Sequence, residues 1–399
     1  MAFSDDVACV SELLPSVVRY GAGGEVECGV RALRSAVTDP GNTFLSFKRL
    51  MGVRYSDLEA SGSPLSFPFE LVEGNDGFVE MQCSARGSPV RPVEASAVVL
   101  KTLVARAEAF TGDRIDRAVV TVPARFGTEA IDATREAAAE AGIERVVILQ
   151  EPVAAALAHG VDDMDKVAEQ LVLVFDLGGG TCDVSLLECF DGVVEVVATA
   201  GDPFLGGNDM DQALARLILR RAGIGEPEDP VQLCRLREAA ERAKIELSTA
   251  ASTHVLVPFL QGCEGLDVEI TREEFDEEIG DIMDRIAVPL RSLGDEARLT
   301  WDWKPWDPDA QAAAAKVDKW APPPRKVTQL VFVGGASRVP CVRALVQKMV
   351  GLDAGGVDPE TAVALGAAVH GGVLEGDISA LEVMDGSYNW MLHQRVTGM

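Results

Sequence analysis

Along most of the chain the apolar positions repeat with one of two periods. Over 93–111 (VEASAVVLKTLVARAEAFT) they recur every three or four residues, which predicts a helix. The run AVVTV at 118–122 is short, β-rich and stopped by Pro123, and reads as a strand. Residues 127–141 (GTEAIDATREAAAEA) predict a second helix, with Thr128 as its cap and Gly142 as its stop. A further strand, RVVILQ at 145–150, leads through Pro152 into a short alanine-rich helix ended by Gly160. Strands alternating with helices predict an α/β protein with a partly parallel, buried sheet.

From 171 the pattern changes. LVLVFD is a continuous apolar strand, Gly178–Gly180 break it, and TCDVSLLEC and VVEVVATAGD resume strand character. The order is strand, glycine turn, strand. Helices are expected over 208–221 and 231–249, then a strand pair (HVLVPFL and LDVEIT) running into a helix. QLVFVGGASRVP is again an apolar strand entering a Gly-Gly turn, and 360–374 predicts a last, small-residue helix. Residues 15–95 are mixed, with turns signalled at Gly21–Gly24, Asp39–Gly41 and Gly74–Gly77. Residues 300–326 fit neither period: four of the five tryptophans lie there among Pro and Asp, as in an insertion or long loop.

Composition narrows the classes. With 399 residues and 47% hydrophobic content the chain can bury a large core. Its net charge of −27 argues against a nucleic-acid backbone or an anionic membrane as partner, though not against a local pocket for a nucleotide. No apolar run reaches the ~18 residues of a membrane span. The start, MAFSDDVACVSELL, has no basic region and reads as neither a secretory signal nor an Arg-rich transit peptide. Eight cysteines without a C-x-x-C pair and four scattered histidines give no zinc pattern. They point to a reducing intracellular compartment, the cytoplasm first and an organelle as the alternative.

The chemistry gathers in a few stretches. In Asp176-Leu-Gly-Gly-Gly-Thr-Cys-Asp183 a buried strand delivers Asp176 to its end, a hard oxygen for Mg²⁺ or its waters. Gly178, Gly179 and Gly180 let backbone N–H groups approach an anion, and Thr181 adds a hydroxyl. Neither a Walker Gly-Lys-Ser/Thr nor a dinucleotide fingerprint is present. Glu151 sits where strand meets helix, able to hold water near a phosphate or simply to sit at a helix N-terminus. Glu241, Lys244 and Ser248 share one helix face, either a nucleoside grip or a solvated stripe. Gly334 and Gly335 bring backbone close, and Arg338 carries a flat guanidinium able to stack on a ring.

Together these stretches resemble the nucleotide-binding domain of the 70 kDa heat-shock protein (DnaK-type) chaperones. The matching pieces, in order, are NTFLSFKRLMG, AVVTVPARFG, QEPVAAALAHG, VFDLGGGTCDVSLLE, GDPFLGGNDMD, LREAAERAKIELST, ITREEFDE, VFVGGASRVP and DPETAVALGAAVHGGVLEGD, over roughly 13–380. The resemblance implies an actin-like ATPase fold of two lobes around a cleft for ATP or ADP with Mg²⁺. It implies a first lobe over 1–170, a second over 171–356, a helix returning to the first lobe over 357–380 and a tail over 381–399. By motif, Lys48 would be the catalytic lysine, Glu151 would orient water, and Asp176 and Thr181 would serve the metal and γ-phosphate. Gly178, Gly179 and Gly180 would cradle phosphate. Glu241, Lys244, Ser248, Gly334, Gly335 and Arg338 would hold adenosine, with Glu360 where the family has an Asp near the metal. Exchange factors and J-domain proteins would be the protein partners, with no nucleic acid and no membrane.

Departures from the family qualify the expectation. The family's opening Asp-Leu-Gly-Thr-Thr hairpin has no counterpart, so the first lobe's N-terminal strands are expected to be missing. Arg125, Ile131 and Asn208 replace an aromatic, an arginine and a glutamate. The family's peptide-binding half is likewise expected to be missing. These departures imply weak ATP binding and little hydrolysis. A non-catalytic scaffold, another actin-like ATPase such as a sugar kinase or filament protein, and a fragment of a longer chaperone remain as alternatives.

Overall fold

The computed structural model describes residues 13–60, 67–160, 170–190, 193–258, 260, 265–299 and 325–376. The expected tail over 381–399, and the tryptophan-rich stretch except Arg325 and Lys326, lie outside them. The chain forms two compact units: residues up to Ile148 together with Pro227–Arg235, and Leu149–Glu226 together with residues from Leu236 on.

In the first unit β1 (Val17–Tyr20) is the middle strand of a three-stranded antiparallel sheet between β2 (Val26–Cys28) and β3 (Thr43–Leu45), with α1 (Val30–Ser35) in the β2–β3 connection. α2 (Tyr55–Ala60) precedes the hairpin of β4 (Leu71–Glu73) and β5 (Val79–Met81), which turns at Gly74–Gly77. Val18, Phe44, Phe69 and Met81 form the core here, with Phe44 edge-on to Phe69 at 5.0 Å. α3 (Pro92–Thr111) starts on Pro92 and stops at Gly112, whose φ of 78° suits a residue without Cβ. After β6 (Arg117–Val122), α4 (Thr128–Glu140) packs on α3. The N-cap of α4 is Gly127, in extended backbone, so Thr128 is the first helical residue and not the cap its sequence suggested. Gly142, with φ 90°, lies just beyond its end, and β7 (Arg145–Gln150) pairs with β6 in a sheet of two strands.

The second unit opens with α5 (Glu151–Ala158) and is built on a sheet ordered β10-β9-β8-β13. β8 (Gln170–Leu177) lies between antiparallel β9 (Cys182–Phe190) and parallel β13, and β10 (Val193–Asp202) follows β9, so the glycine turn joins two adjacent strands. Leu173, Phe175 and Leu177 of β8 are fully buried, as the uninterrupted apolar run requires of a strand covered on both faces. α6 (Gly207–Ala222) follows, then α7 (Pro230–Leu247), which belongs to this unit from Leu236 on, and α6 contributes Leu214 and Ile218 to the core under that sheet. The hairpin of β11 (Ser252–Pro258) and β12 (Gly265–Thr271) runs into α8 (Arg272–Glu278), where Thr271 and Glu274 form a capping box. α9 (Gly280–Glu296), β13 (Gln329–Val333), α10 (Pro340–Val350) and α11 (Ala362–Glu375) complete the unit. α11 packs along α5.

Candidate functional site

The site starts from the end of β8. In register, Asp176 stands between Asp183 of β9 and Val333 of β13, and it is half-buried. Continuous burial of 171–175 fixes the strand, so the position of Asp176 follows from packing. The turn closes with the Gly178 N–H donating to the Thr181 carbonyl at 3.1 Å.

The N-terminus of α6 backs this turn. The Gly207 N–H donates to the Gly178 carbonyl at 3.0 Å and the Asn208 N–H to the Gly179 carbonyl at 2.7 Å. A helix N-terminus has N–H groups without intrahelical partners, and here the loop satisfies two of them. The consequence is chemical. Two loop carbonyls, the groups that would repel a phosphate, are drawn toward α6. The approach is close because Gly206 has no side chain: a Cβ there would lie 2.6 Å from the Gly180 nitrogen and 2.7 Å from the Gly179 carbonyl carbon. Substituting Gly206→Ala is therefore expected to displace the 178–180 turn, destabilise the protein by about 1–3 kcal/mol, and weaken phosphate binding. Urea unfolding and MgADP titration check this, with unchanged values in both showing that the turn has room to give.

Gly334 closes the other side of the strand end. Its φ is 80°, and a Cβ would meet the Leu177 carbonyl oxygen at 2.3 Å and Asp176 Oδ1 at 2.8 Å. Its N–H donates to the Pro359 carbonyl at 3.0 Å. Gly335–Arg338 then form a 3₁₀ turn, with the buried Ser337 hydroxyl donating to the Gly334 carbonyl at 2.7 Å. Arg338 is ion-paired with Asp358 and, at 3.3 Å, with Glu360. Asp358 also accepts from the Glu360 N–H; that bond, followed by Arg338, holds its carboxyl below the usual range. Arg338, Gly335 and Glu360 are thus brought together, with the Glu360 carboxylate 3.1 Å from where a Gly335 Cβ would be.

On α7 the expected stripe divides. Glu241 is exposed, and the Ser248 hydroxyl donates to the Lys244 carbonyl at 3.1 Å. Lys244 is buried, its ammonium 2.7 Å from Asp211 of α6 and donating to the Gly207 carbonyl at 3.3 Å. Burial raises the Asp211 carboxyl to about 6 against the opposing pull of Lys244. Glu151 is the first residue of α5, half-buried at the helix's positive end. Lys48 belongs to the first unit, exposed on a 3₁₀ turn held by buried Phe47 and Leu50.

Around the turn, Cys182 is buried, and its thiol is pushed well up, first by burial and then by Asp183, Asp176 and Asp202. It is an inert thiol. Cys28, Cys83, Cys182, Cys189 and Cys341 are free thiols. Among the described residues no three His, Cys, Asp or Glu side chains are grouped to hold a metal, and no helix is long and apolar enough to cross a membrane. Sequence reasoning assigned nothing to Gly206, Gly207 or Asp211. The double glycine at a helix start, with an aspartate four residues after Gly207, was the available signal.

In this α/β protein a buried strand delivers an acid to a glycine hairpin with a helix N-terminus behind it. The Hsp70 protein family model matches residues 8–302 and 319–389, the chain belongs to the Hsp70 family, and the family match gives the actin-like ATPase fold. It is 38% identical over 380 residues to the chaperone protein dnaK of Cyanidioschyzon merolae, covering 93% of this chain and 58% of that protein. It is equally similar, at 38%, to the stromal 70 kDa heat shock-related protein, chloroplastic, of Pisum sativum (93% and 50%). The mitochondrial heat shock 70 kDa protein of Solanum tuberosum is 37% identical (93% and 52%). The chain therefore spans about half the length of these relatives, and its motifs are those of a chaperone nucleotide-binding domain.

Proposed function

We propose that this chain binds ATP or ADP with Mg²⁺ as the nucleotide-responsive part of an Hsp70 chaperone system. The observation that carries the reading is the backing of the Gly178–Gly180 turn by α6, which turns two carbonyls from the ligand side. Asp176, half-buried at the strand end beside the glycine turn, would offer a hard carboxylate oxygen to a magnesium ion or its waters. When bound, Mg²⁺ would neutralise phosphate charge. Gly178, Gly179, Gly180 and Thr181 would bind phosphate, Glu151 would orient water, and Lys48 would offset charge on the transferred group. Glu241, Lys244, Ser248, Gly334, Gly335 and Arg338 would border the nucleoside, with Glu360 beside them. Exchange factors and J-domain proteins are the partners this reading assigns, and a reducing cytoplasm or organelle stroma the compartment.

Nucleoside binding is expected to be weak for a structural reason. The N–H edge of Arg338 is held by Asp358 and Glu360, so its flat face can stack on a base only in the orientation those pairs allow. Asp358→Asn keeps an acceptor for the Glu360 N–H while removing the charge. An exposed pair of this kind is worth ~0.2–1 kcal/mol, so this variant should raise adenosine affinity by no more than about fivefold. Calorimetric titration of MgADP, MgATP and adenosine, with Asp176→Asn as a second variant, tests the whole reading. Binding that falls in Asp176→Asn and rises in Asp358→Asn supports it. A wild type that binds none of the three overturns it.

A further inference from the structure

Between β10 and α6, residues 203–206 have no helix or strand, so their backbone groups need partners from elsewhere. Two carboxylates supply them. Asp202, the last residue of β10, accepts from the Phe204 N–H at 2.8 Å, and Asp209 of α6 accepts from the Gly206 N–H at 2.8 Å. One guanidinium joins the two. Arg285 of α9 donates to Asp202 at 2.9 Å and to the Phe204 carbonyl at 3.0 Å, and its other terminal nitrogen lies 3.9 Å from Asp209. The helix that carries it is fixed, because Ile282, Ile286 and Leu290 of α9 are buried and α9 packs on β9 and β10. The held stretch ends against the glycine turn. Leu205 is fully buried, and a Cβ on Gly206 would sit 2.6 Å from the Gly180 nitrogen. Asp202 also stands in register with Cys182, just past that turn.

We propose that Arg285 is a positioning residue, whose guanidinium fixes residues 202–206 from behind and so sets the Gly178–Gly180 turn for phosphate without touching the nucleotide. Its shape matters as much as its charge. A guanidinium offers five N–H donors in one rigid plane and reaches several acceptors at once, whereas an ammonium is a point charge on a flexible stem. Arg285 is exposed, and exposed ion pairs add little to global stability. The consequence of losing it is therefore local. Asp202 and Asp209 are freed to turn toward water, and the Phe204 and Gly206 N–H groups lose fixed acceptors. Gly206 leaves no slack against Gly179 and Gly180, so a shift of one moves the others. Phosphate contacts depend on the orientation of the turn, so a small shift is felt in binding. The inference deepens the nucleotide reading and rests on it for its ligand arm only.

The test has two arms and two variants, Arg285→Gln and Arg285→Lys. The first arm uses no ligand. Amide hydrogen exchange at Phe204 and Gly206 should speed up by roughly fivefold or more in Arg285→Gln, while exchange in the β8 interior and the urea midpoint stay near wild type. Arg285→Lys keeps the charge without the fork, so it should leave exchange at those two amides fast. Unchanged exchange in Arg285→Gln, or a loss of protection spread evenly over the unit, would make the role merely structural and overturn the inference. Full recovery in Arg285→Lys would show that charge alone acts, and would overturn it too. The second arm titrates MgADP and adenosine. Arg285→Gln should weaken MgADP by roughly fivefold or more while adenosine stays within about twofold. Equal losses for both ligands would mean that the change is not confined to the phosphate turn, and the inference falls. A wild type that binds neither ligand would sink the nucleotide reading, while the exchange arm would still decide whether Arg285 holds the stretch behind the turn.

Discussion

Gly366→Ala is expected to be the most destabilising single-methyl change in this protein. Gly366 lies in α11 where that helix crosses α5, and a Cβ at this position would sit 1.6 Å from the Ala154 carbonyl oxygen and 2.4 Å from its carbonyl carbon. The obstacle is backbone, so no rotamer change relieves it and truncating Ala154 to glycine would not help. α5 cannot simply retreat, because Val153, Ala154, Ala155 and Ala156 are buried and it packs on the sheet as well as on α11. The two helices must separate, which opens space along their whole contact. Overpacking of ordinary side chains costs ~1–3 kcal/mol, and a backbone collision of this depth should exceed that range. Against a total stability of ~5–15 kcal/mol, the variant is expected to fold poorly. Gly356→Ala is the control: a Cβ there meets nothing within 4 Å. Urea midpoints of the two variants, measured together, decide the matter. Equal midpoints would mean that α5 and α11 do not pack as described.

That contact was only half legible in the sequence. Small residues at EPVAAALAH and AVALGAAVHGG announced two closely packed helices, but not that they pack on each other, because nothing local encodes a partner some 200 residues away. The β8–glycine–β9 turn was legible because a strand buried on both faces is an unbroken apolar run, and three glycines can only interrupt it. The strands of 15–95 were not. β1, β2 and β3 have three or four residues each, too few for a period of two to show, and only their turns were visible. Thr128 failed as a cap because Gly127, in extended backbone, already fills that position. The α7 stripe shows the limit for a binding site. Spacing put Glu241, Lys244 and Ser248 on one helix face, yet Glu241 is exposed while Lys244 is buried against Asp211, which lies on another helix.

The Asp211–Lys244 pair carries the second large expectation. Lys244→Met is expected to cost about 3–5 kcal/mol at pH 7.5, because it strands a buried carboxylate, and the cost should shrink as the solution is acidified. In the folded protein the Asp211 carboxyl is raised from 3.8 to about 6, first by burial, with Lys244 pulling the other way. A raised folded value means that the folded state takes up its proton before the unfolded state does. Stability from this group therefore grows as pH falls from about 6 toward 3.8 and is lost as pH rises through 6. Without Lys244 only the raising influences remain, so the window opens at a higher pH and the dependence steepens. Between the folded and unfolded values the slope approaches ~1.4 kcal/mol per pH unit for one proton. Other carboxylates add their own dependence, so the quantity to measure is a difference. Urea unfolding of Lys244→Met and of Lys244→Met/Asp211→Leu should diverge most at pH 8 and converge toward pH 5, since the second variant has no buried carboxyl left to protonate. A constant difference across that range would show that Asp211 reaches water once its partner is gone, and that the wall of α6 and α7 around it is open.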